Sequence, residues 1–474
     1  MESIMLIDFG STFTKVTGVD LENEIIIGTS YAFTTIETDV REGLSSAINK
    51  LERTSGNILW GSKYACSSAA GGLRMIGIGL VEELTSKAAK EAALSAGAKV
   101  LKVFSMELTE DDISDINNLK PDILLLTGGT DGGNQKVVLH NAMALTKLEV
   151  NVPVIYSGNR SVKNQVVKIL DQAGFEVKST ENVMPKFGEL NIDPARAAIQ
   201  EVFLNKIIEA KGIKDAESMI NNVLMPTPLA VMKGAELLAD GYDCETGYGD
   251  MIVVDIGGAT TDIHSICEGL PTKANVVLKG IEEPRVKRSV EGDLGARYSL
   301  AATIDLLDEN EIVSELQISY EELKDIVSLL INHPEMTSNE TEDNISEKTS
   351  DSNNIIKKFD EYIAKKVIQE GIKRHSGRLK EYYTPFGMGY EQQGKDLTDV
   401  TIIVGTGGPL IHSENPIEIL KAGNYADNEP FVLKPTFSKY YLDQSYILAA
   451  MGLLSEIDRE KAYRILNKYI IELF

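Results

Sequence analysis

Hydrophobic and polar positions near the start of the chain alternate with strand periodicity. Residues 3–36 read as a three-stranded meander, IMLID, TKVTGVD and NEIIIGTSYAF, turning near Glu22–Asn23. A helical pattern follows over 41–53. From about residue 62 to 185 the character changes. A helix LTSKAAKEAALSAGA ends near Gly97, and the strand KVLKVFS follows. Next come a helix at 110–119, the strand DILLLTGG, a helix at 134–148, the strand VPVIYSG, a helix at 161–173 closed by Gly174, and the strand FEVKS. Strands alternating with helices through short connections predict right-handed βαβ units and a parallel sheet. This stretch reads as a doubly wound module inserted after the meander.

Helices then predominate. ARAAIQEVFLNKIIEA puts Ile199, Val202, Phe203 and Ile207 on one face, and TPLAVMKGAELLAD predicts another helix. DMIVVDIGGATTDIHSICEG begins a second meander, with strands on either side of a Gly-Gly loop. Residues 295–331 read as mainly helical. The stretch 335–354, EMTSNETEDNISEKTSDSNN, has almost no apolar residues and too little to bury to offset ordering, which predicts a mobile loop. A helix at 355–372, the strand DVTIIVG, a Gly-rich turn and a closing helix at 443–458 complete the chain.

Composition narrows the function classes. At 474 residues the chain exceeds one ordinary compact domain, and 43% hydrophobic with 25% charged residues is a soluble globular balance. A net charge of −24 argues against a nucleic-acid groove, because a polyanion is repelled before specific contacts form. One anionic ligand can still bind where backbone amides and a metal ion supply local positive potential. Cys66, Cys244 and Cys267 form no CxxC and no zinc spacing, which fits a reducing cytoplasm. No apolar run is long enough for a membrane helix, and a first strand without a leader pattern predicts no signal peptide.

Two loops carry the candidate chemistry. Asp8-Phe-Gly-Ser-Thr-Phe-Thr-Lys15 and Asp255-Ile-Gly-Gly-Ala-Thr-Thr-Asp262 both follow apolar strands and both place Asp at the strand end. Either alone also fits a tight hairpin, but together they read as a two-fold internal repeat. Gly10, Gly257 and Gly258 would let backbone N–H groups approach phosphate oxygens, with the hydroxyls of Ser11, Thr12, Thr260 and Thr261 as further donors. Asp8 and Asp255 would hold a hydrated Mg²⁺, and Lys15 would meet a phosphate as a point charge. Asp262, or Asp8, would orient an attacking water. A third strand-and-glycine stretch, IIVGTGGPL, would lay a nucleoside against Gly405, Gly407 and Gly408.

These three loops resemble the phosphate-1, phosphate-2 and adenosine motifs of the actin, heat-shock chaperone and sugar-kinase ATPase superfamily. Asp8 with Lys15 is similar to the actin pattern, and Asp255 with Asp262 to the chaperone pattern Asp-x-Gly-Gly-x-Thr-x-Asp. DQSYILAAMGLL resembles that superfamily's last helix, with Gly452 permitting close packing. The P-loop GxxxxGK[ST] is absent from the sequence. The resemblance implies an α/β protein of duplicated actin-like (ribonuclease H-like) ATPase lobes, 1–61 with 186–245 and then 246–474, around an inserted doubly wound α/β module at 62–185. It implies ATP and Mg²⁺ as ligands. A small-molecule kinase or a filament-type assembly ATPase on the same scaffold are alternatives.

Four further stretches, SSAAGGLRMIGIGL, AALSAGAKV, PDILLLTGGTDGGN and VEGDLGAR, resemble the GlmL/MutL family of accessory proteins to adenosylcobalamin-dependent mutases. That family shares only its name with the mismatch-repair protein. The likeness implies a chaperone-like reactivating ATPase whose partner is glutamate (methylaspartate) mutase and which ejects damaged cobalamin. The inserted module has no DxHxxG, so cobalamin binding by this chain is not expected. The cluster-bridging cysteine pair of the iron–sulfur activators of acyl-CoA dehydratases is not evident either.

Other residues stay open between a site and a structural role. Asp131 in GGTDGG fits a ligand contact at a sheet edge or a tight βα turn. Glu291, Asp293 and Arg297 fit the nucleotide site or a helix cap. His264 reads as a strand histidine and Cys66 as a small buried residue.

Overall fold

The computed structural model describes residues 3–10, 13–35, 39–56, 58–68, 73–81, 88, 92–93, 98–209, 220, 222–243, 245–280, 282–334, 350–385 and 387–474. The first lobe begins with the meander β1 (Ser3–Phe9), β2 (Phe13–Asp20) and β3 (Ile25–Phe33), all antiparallel. The Asp20 carboxylate sets its second turn by accepting the N–H groups of Glu22 and Asn23 at 3.0 and 3.2 Å. Helix Val40–Ser55, capped by Asp39, buries Leu44, Ala47 and Leu51 in the core of this sheet.

Strand β4 (Ser62–Ser67) differs from expectation. It lies parallel to β1, with Cys66 opposite Asp8, and so belongs to the first sheet rather than to the inserted module. The insertion leaves the lobe only after β4. It contains β5 (Leu73–Gly79), β6 (Ala98–Ser105), β7 (Ile123–Leu126), β8 (Val154–Tyr156) and β9 (Val177–Ser179). These form one parallel sheet in the order β6-β5-β7-β8-β9, a doubly wound topology that reverses direction between β5 and β7. The helix expected over LTSKAAKEAALSAGA lies almost wholly outside the described residues. After helix Asp193–Glu209, β10 (Asn222–Pro226) returns to pair with β4, completing the order β10-β4-β1-β2-β3.

A short hairpin, β11 (Gly241–Tyr242) and β12 (Glu245–Thr246), leads into the second lobe. There β13 (Met251–Ile256), β14 (Thr261–Ile266) and β16 (Val286–Glu291) repeat the antiparallel meander, with β15 (Val276–Leu278) set aside. Strand β15 joins β17 (Arg378–Thr384) and β18 (Gly387–Gln393) in a separate three-stranded sheet. Strands β19 (Ile402–Thr406), β20 (Lys439–Leu442) and β21 (Ile471–Leu473) extend the main sheet to β16-β14-β13-β19-β20-β21. Each lobe thus has a central strand, β1 or β13, with an antiparallel hairpin on one side and two parallel strands on the other, to which the second lobe adds antiparallel β21 at its edge. This is the duplicated actin-like arrangement with its inserted α/β module.

Two boundaries shift. Helix Ser350–His375 starts inside the stretch expected to be a loop; residues 335–349 lie outside the described residues. The closing helix expected over 443–458 is instead Leu448–Leu454, followed by helix Arg459–Tyr469. No helix among the described residues is long and apolar enough to cross a membrane.

The lobes share a core. Ile4, Leu6 and Val19 from the first sheet and Met251, Val253 and Ile266 from the second join one buried cluster with helices Thr227–Asp240 and Leu448–Leu454. Those helices cross backbone to backbone at two glycines. A Cβ on Gly452 would stand 1.8 Å from the Ala230 carbonyl oxygen, and one on Gly234 would stand 2.3 Å from that of Leu448. Arg464 pairs with Glu24, tying the last helix to the first lobe.

Candidate functional site

The two hairpin loops have the same construction. Gly10 N–H donates to the Phe13 carbonyl at 3.2 Å, and Gly257 N–H donates to the Thr260 carbonyl at 2.9 Å. A Cβ would meet those carbonyl oxygens at 2.5 and 2.8 Å, so only glycine permits either turn. Asp8 and Asp255, Gly10 and Gly257, Phe13 and Thr260, and Lys15 and Asp262 are equivalent pairs at one constant offset. The glycine amides differ from expectation here: both N–H groups close their own turns instead of standing open to a ligand. Ser11 and Thr12 lie outside the described residues.

In the first lobe Lys15 is the cross-strand partner of Asp8, and in the second Asp262 is the partner of Asp255. The Asp8 carboxylate accepts the Thr227 hydroxyl at 2.5 Å and the Cys66 thiol at 3.7 Å. Burial raises the Asp8 carboxyl above its ordinary value, against the downward pull of Lys15 and these two donors. Burial raises Asp255 to about 6; Lys15 opposes this, while Asp262, Asp8 and Asp443 reinforce it. The Cys66 thiol is buried and its pKa is pushed well up, first by desolvation and then by Asp8, so it stays a protonated packing group.

Asp262 is not the free carboxylate expected. The Arg288 guanidinium holds its Oδ1 from Nη2 at 2.6 Å and from Nε at 2.9 Å, with only 5% of the arginine side chain exposed. Thr261 is likewise committed, since its buried hydroxyl donates to the Leu294 carbonyl at 2.7 Å. Gly258 accepts the N–H groups of Arg297 and Tyr298 at 2.9 and 2.8 Å, which brace the second loop from behind. Arg297 pairs with Asp360, while Glu291 and Asp293 pair with Arg374. These ion pairs fasten VEGDLGAR to helix Ser350–His375. His264 is buried, desolvation lowers its pKa to about 3, and neither ring nitrogen has a hydrogen-bond partner among the described residues.

The third loop divides. Gly407 has φ 102°, and a Cβ there would lie 2.3 Å from the Ile256 carbonyl oxygen, so the turn packs on the end of β13. Gly408 opens the short helix Gly408–Ile411. Gly405 differs from expectation because it faces the second lobe's core. A Cβ there would strike Leu410 and Leu420 at 2.8 and 3.0 Å, so packing explains that glycine. In the inserted module Asp131 accepts from Arg160 N–H and Asn182 Nδ2, both at 3.0 Å, which makes it a brace of its own turn.

Three residues beyond the sequence motifs join the site. Thr227 starts its helix beside Asp8. Asp443 is buried and accepts N–H bonds from Ile447 and Leu448 at 2.9 Å and the Thr406 hydroxyl at 3.2 Å. Tyr446 sets its ring 4.0 Å from Lys15 Nζ. The signals were slight: a Thr-Pro helix start for Thr227 and an Asp ahead of a helix for Asp443.

A family model described as MutL protein matches residues 4–470. The chain belongs to the MutL protein family. Protein MutL of Clostridium tetanomorphum is 48% identical over 474 residues, covering 100% of both chains. Among solved structures, ethanolamine utilization protein EutJ from Carboxydothermus hydrogenoformans matches 95% of this chain and 88% of its own at 12% identity and TM-score 0.27. Xylulose kinase from Bifidobacterium adolescentis matches 98% and 93% at 12% identity and TM-score 0.30. The fold of this MutL-family chain rests on its own strand order rather than on likenesses so distant.

Proposed function

We propose that this chain is an ATPase that reactivates an adenosylcobalamin-dependent mutase, glutamate (methylaspartate) mutase, by driving release of inactivated cobalamin. The observation that carries the ATPase reading is the pair of matched loops, which present Asp8 with Lys15 and Asp255 from two lobes that cross at bare glycines. Membership of the MutL family supports the mutase as partner.

The residues fit the ligand. Among the described residues no three His, Cys, Asp or Glu side chains form an all-protein metal cage. Two carboxylates are what Mg²⁺ takes when phosphate and water complete its octahedron. Asp8 and Asp255 would hold the ion, and a bound cation would offset the burial that raises the Asp255 carboxyl. Bound ATP–Mg²⁺ would supply the scissile phosphoanhydride and neutralise its developing charge. Lys15, Gly258 and Thr260 would line the phosphates, with Gly407 and Gly408 beside the nucleoside. Because Arg288 holds Asp262, Asp8 is the better residue to orient water, steadied by Thr227. Domain closure about the Gly234–Gly452 crossing would carry the nucleotide state to the partner.

The test is ATP turnover by the full chain with and without cobalamin-inactivated mutase, scored together with recovered mutase activity. ATP turnover that rises with the mutase and restores it is the expected result. Turnover that rises only with a small metabolite would replace this reading with a kinase.

A further inference from the structure

Tyr446 has no part in the loops that define the proposed nucleotide site, yet it spans them. Its ring faces Lys15 of the first lobe at 4.0 Å, a cation–π distance. Below it, a Cβ on Gly408 of the second lobe would come 3.4 Å from its hydroxyl and meet nothing else within 4 Å. The backbone at Tyr446 is left-handed, φ 54°. A bulky residue keeps that conformation only where its surroundings dictate it.

Here they do. The Asp443 carboxylate takes two helix N–H groups and the Thr406 hydroxyl, while Asp443 N–H donates to the Gly405 carbonyl at 2.9 Å. The turn is therefore anchored to β19 and to helix Leu448–Leu454, and the ring has little freedom. Lys15 acts on Asp8, Asp255 and Asp443 electrostatically. Among the described residues, however, no carboxylate closes an ion pair with it. An ammonium among three carboxylates that rests on an aromatic face leaves Asp8 and Asp255 open to a cation.

We infer that Tyr446 is a positioning residue for Lys15: its ring holds the ammonium off the two metal-binding carboxylates and releases it to an incoming phosphate. The inference rests on the nucleotide-site reading. A cation–π contact is weaker than a charge-assisted bond to phosphate, so the exchange runs toward bound nucleotide. The aromatic face matters and the hydroxyl does not.

The experiment is calorimetric titration of ATP–Mg²⁺ into the full chain, in wild type, Tyr446→Phe and Tyr446→Leu, each also in a Lys15→Met background. Phenylalanine should bind within about twofold of wild type and leucine about tenfold more weakly. In the Lys15→Met background that difference should vanish. If the leucine variant does not fold, Tyr446→Trp serves instead, with affinity at or above wild type only when Lys15 is present. Equal binding by the phenylalanine and leucine variants would overturn the inference, as would a leucine or tryptophan effect that persists without Lys15. In either case wild-type binding would leave the nucleotide site standing. A wild-type chain that binds no ATP–Mg²⁺ would overturn both.

Discussion

Replacing Asp255 with asparagine should stabilise the ligand-free protein while ending its Mg²⁺-dependent nucleotide binding. Burial and the neighbouring carboxylates lift this group from 3.8 to about 6 in the folded chain. Between those values the folded state binds more protons than the unfolded one, so stability falls as pH rises through the window. Each unit is worth about 1.36 kcal/mol, so the ionised carboxylate costs up to about 3 kcal/mol above pH 6. An amide of the same shape removes that cost. For a lobe of this size one kcal/mol moves Tm by about 2–4 °C, so Asp255→Asn should melt higher at pH 8, by up to about 6–12 °C. Near pH 4 the folded wild type is almost fully protonated and the unfolded chain partly so, and the gain should shrink to a small fraction of its pH 8 value. Thermal melts of both proteins at the two pH values, without Mg²⁺ or nucleotide, measure this. An equal gain at both pH values, or a loss at pH 8, would refute the assignment of Asp255 as a carboxylate held charged at a cost.

Four other outcomes are expected. Mg²⁺-dependent nucleotide binding should weaken as pH falls through about 6, where Asp255 takes up its proton, and a fluorescent-nucleotide titration from pH 8 to 5 would follow it. Arg288→Ala leaves Asp262 uncompensated and nearly buried, and should cost about 3–5 kcal/mol in denaturant melts. Gly452→Ala puts a methyl 1.8 Å from the Ala230 carbonyl oxygen, and its loss of about 1–3 kcal/mol should appear as a lower Tm. Asp443→Ala strips the start of helix Leu448–Leu454 of its acceptor and should cost about 1–2 kcal/mol in the same assay.

What could be read in the sequence was local chemistry on long, periodic segments. An Asp at an apolar strand's end followed by glycine marks both hairpins, because the turn tolerates nothing larger at Gly10 or Gly257. The βαβ alternation likewise announced the inserted sheet. What escaped was decided by partners far along the chain. Ser62–Ser67 is six residues long, and only its register against β1, with Cys66 beside Asp8, gives it to the first lobe. The glycines of IIVGTGGPL look alike in sequence, yet Gly405 points into Leu410 and Leu420 while Gly407 turns against Ile256. Asp262 reads as a free acid until the buried Arg288, one strand away, is seen to hold it. Nothing in DQSY marks a tyrosine forced into a left-handed backbone.

The duplication gave each lobe the same turn and the same terminal aspartate but opposite charges across the hairpin. Lys15 faces Asp8, whereas Asp262 faces Asp255. The cation acts on the first aspartate across its own hairpin, against the burial that raises it. The second has a like charge beside it, and Arg288 neutralises Asp262 rather than Asp255 itself. Among the described residues, Lys15 is thus the one that lowers the pKa of both terminal aspartates while lying on only one lobe. A cation shared between both aspartates would replace Lys15 in this role and free it for another anion. The asymmetry of the repeat therefore places one cation of the first lobe where it acts on the buried aspartates of both lobes.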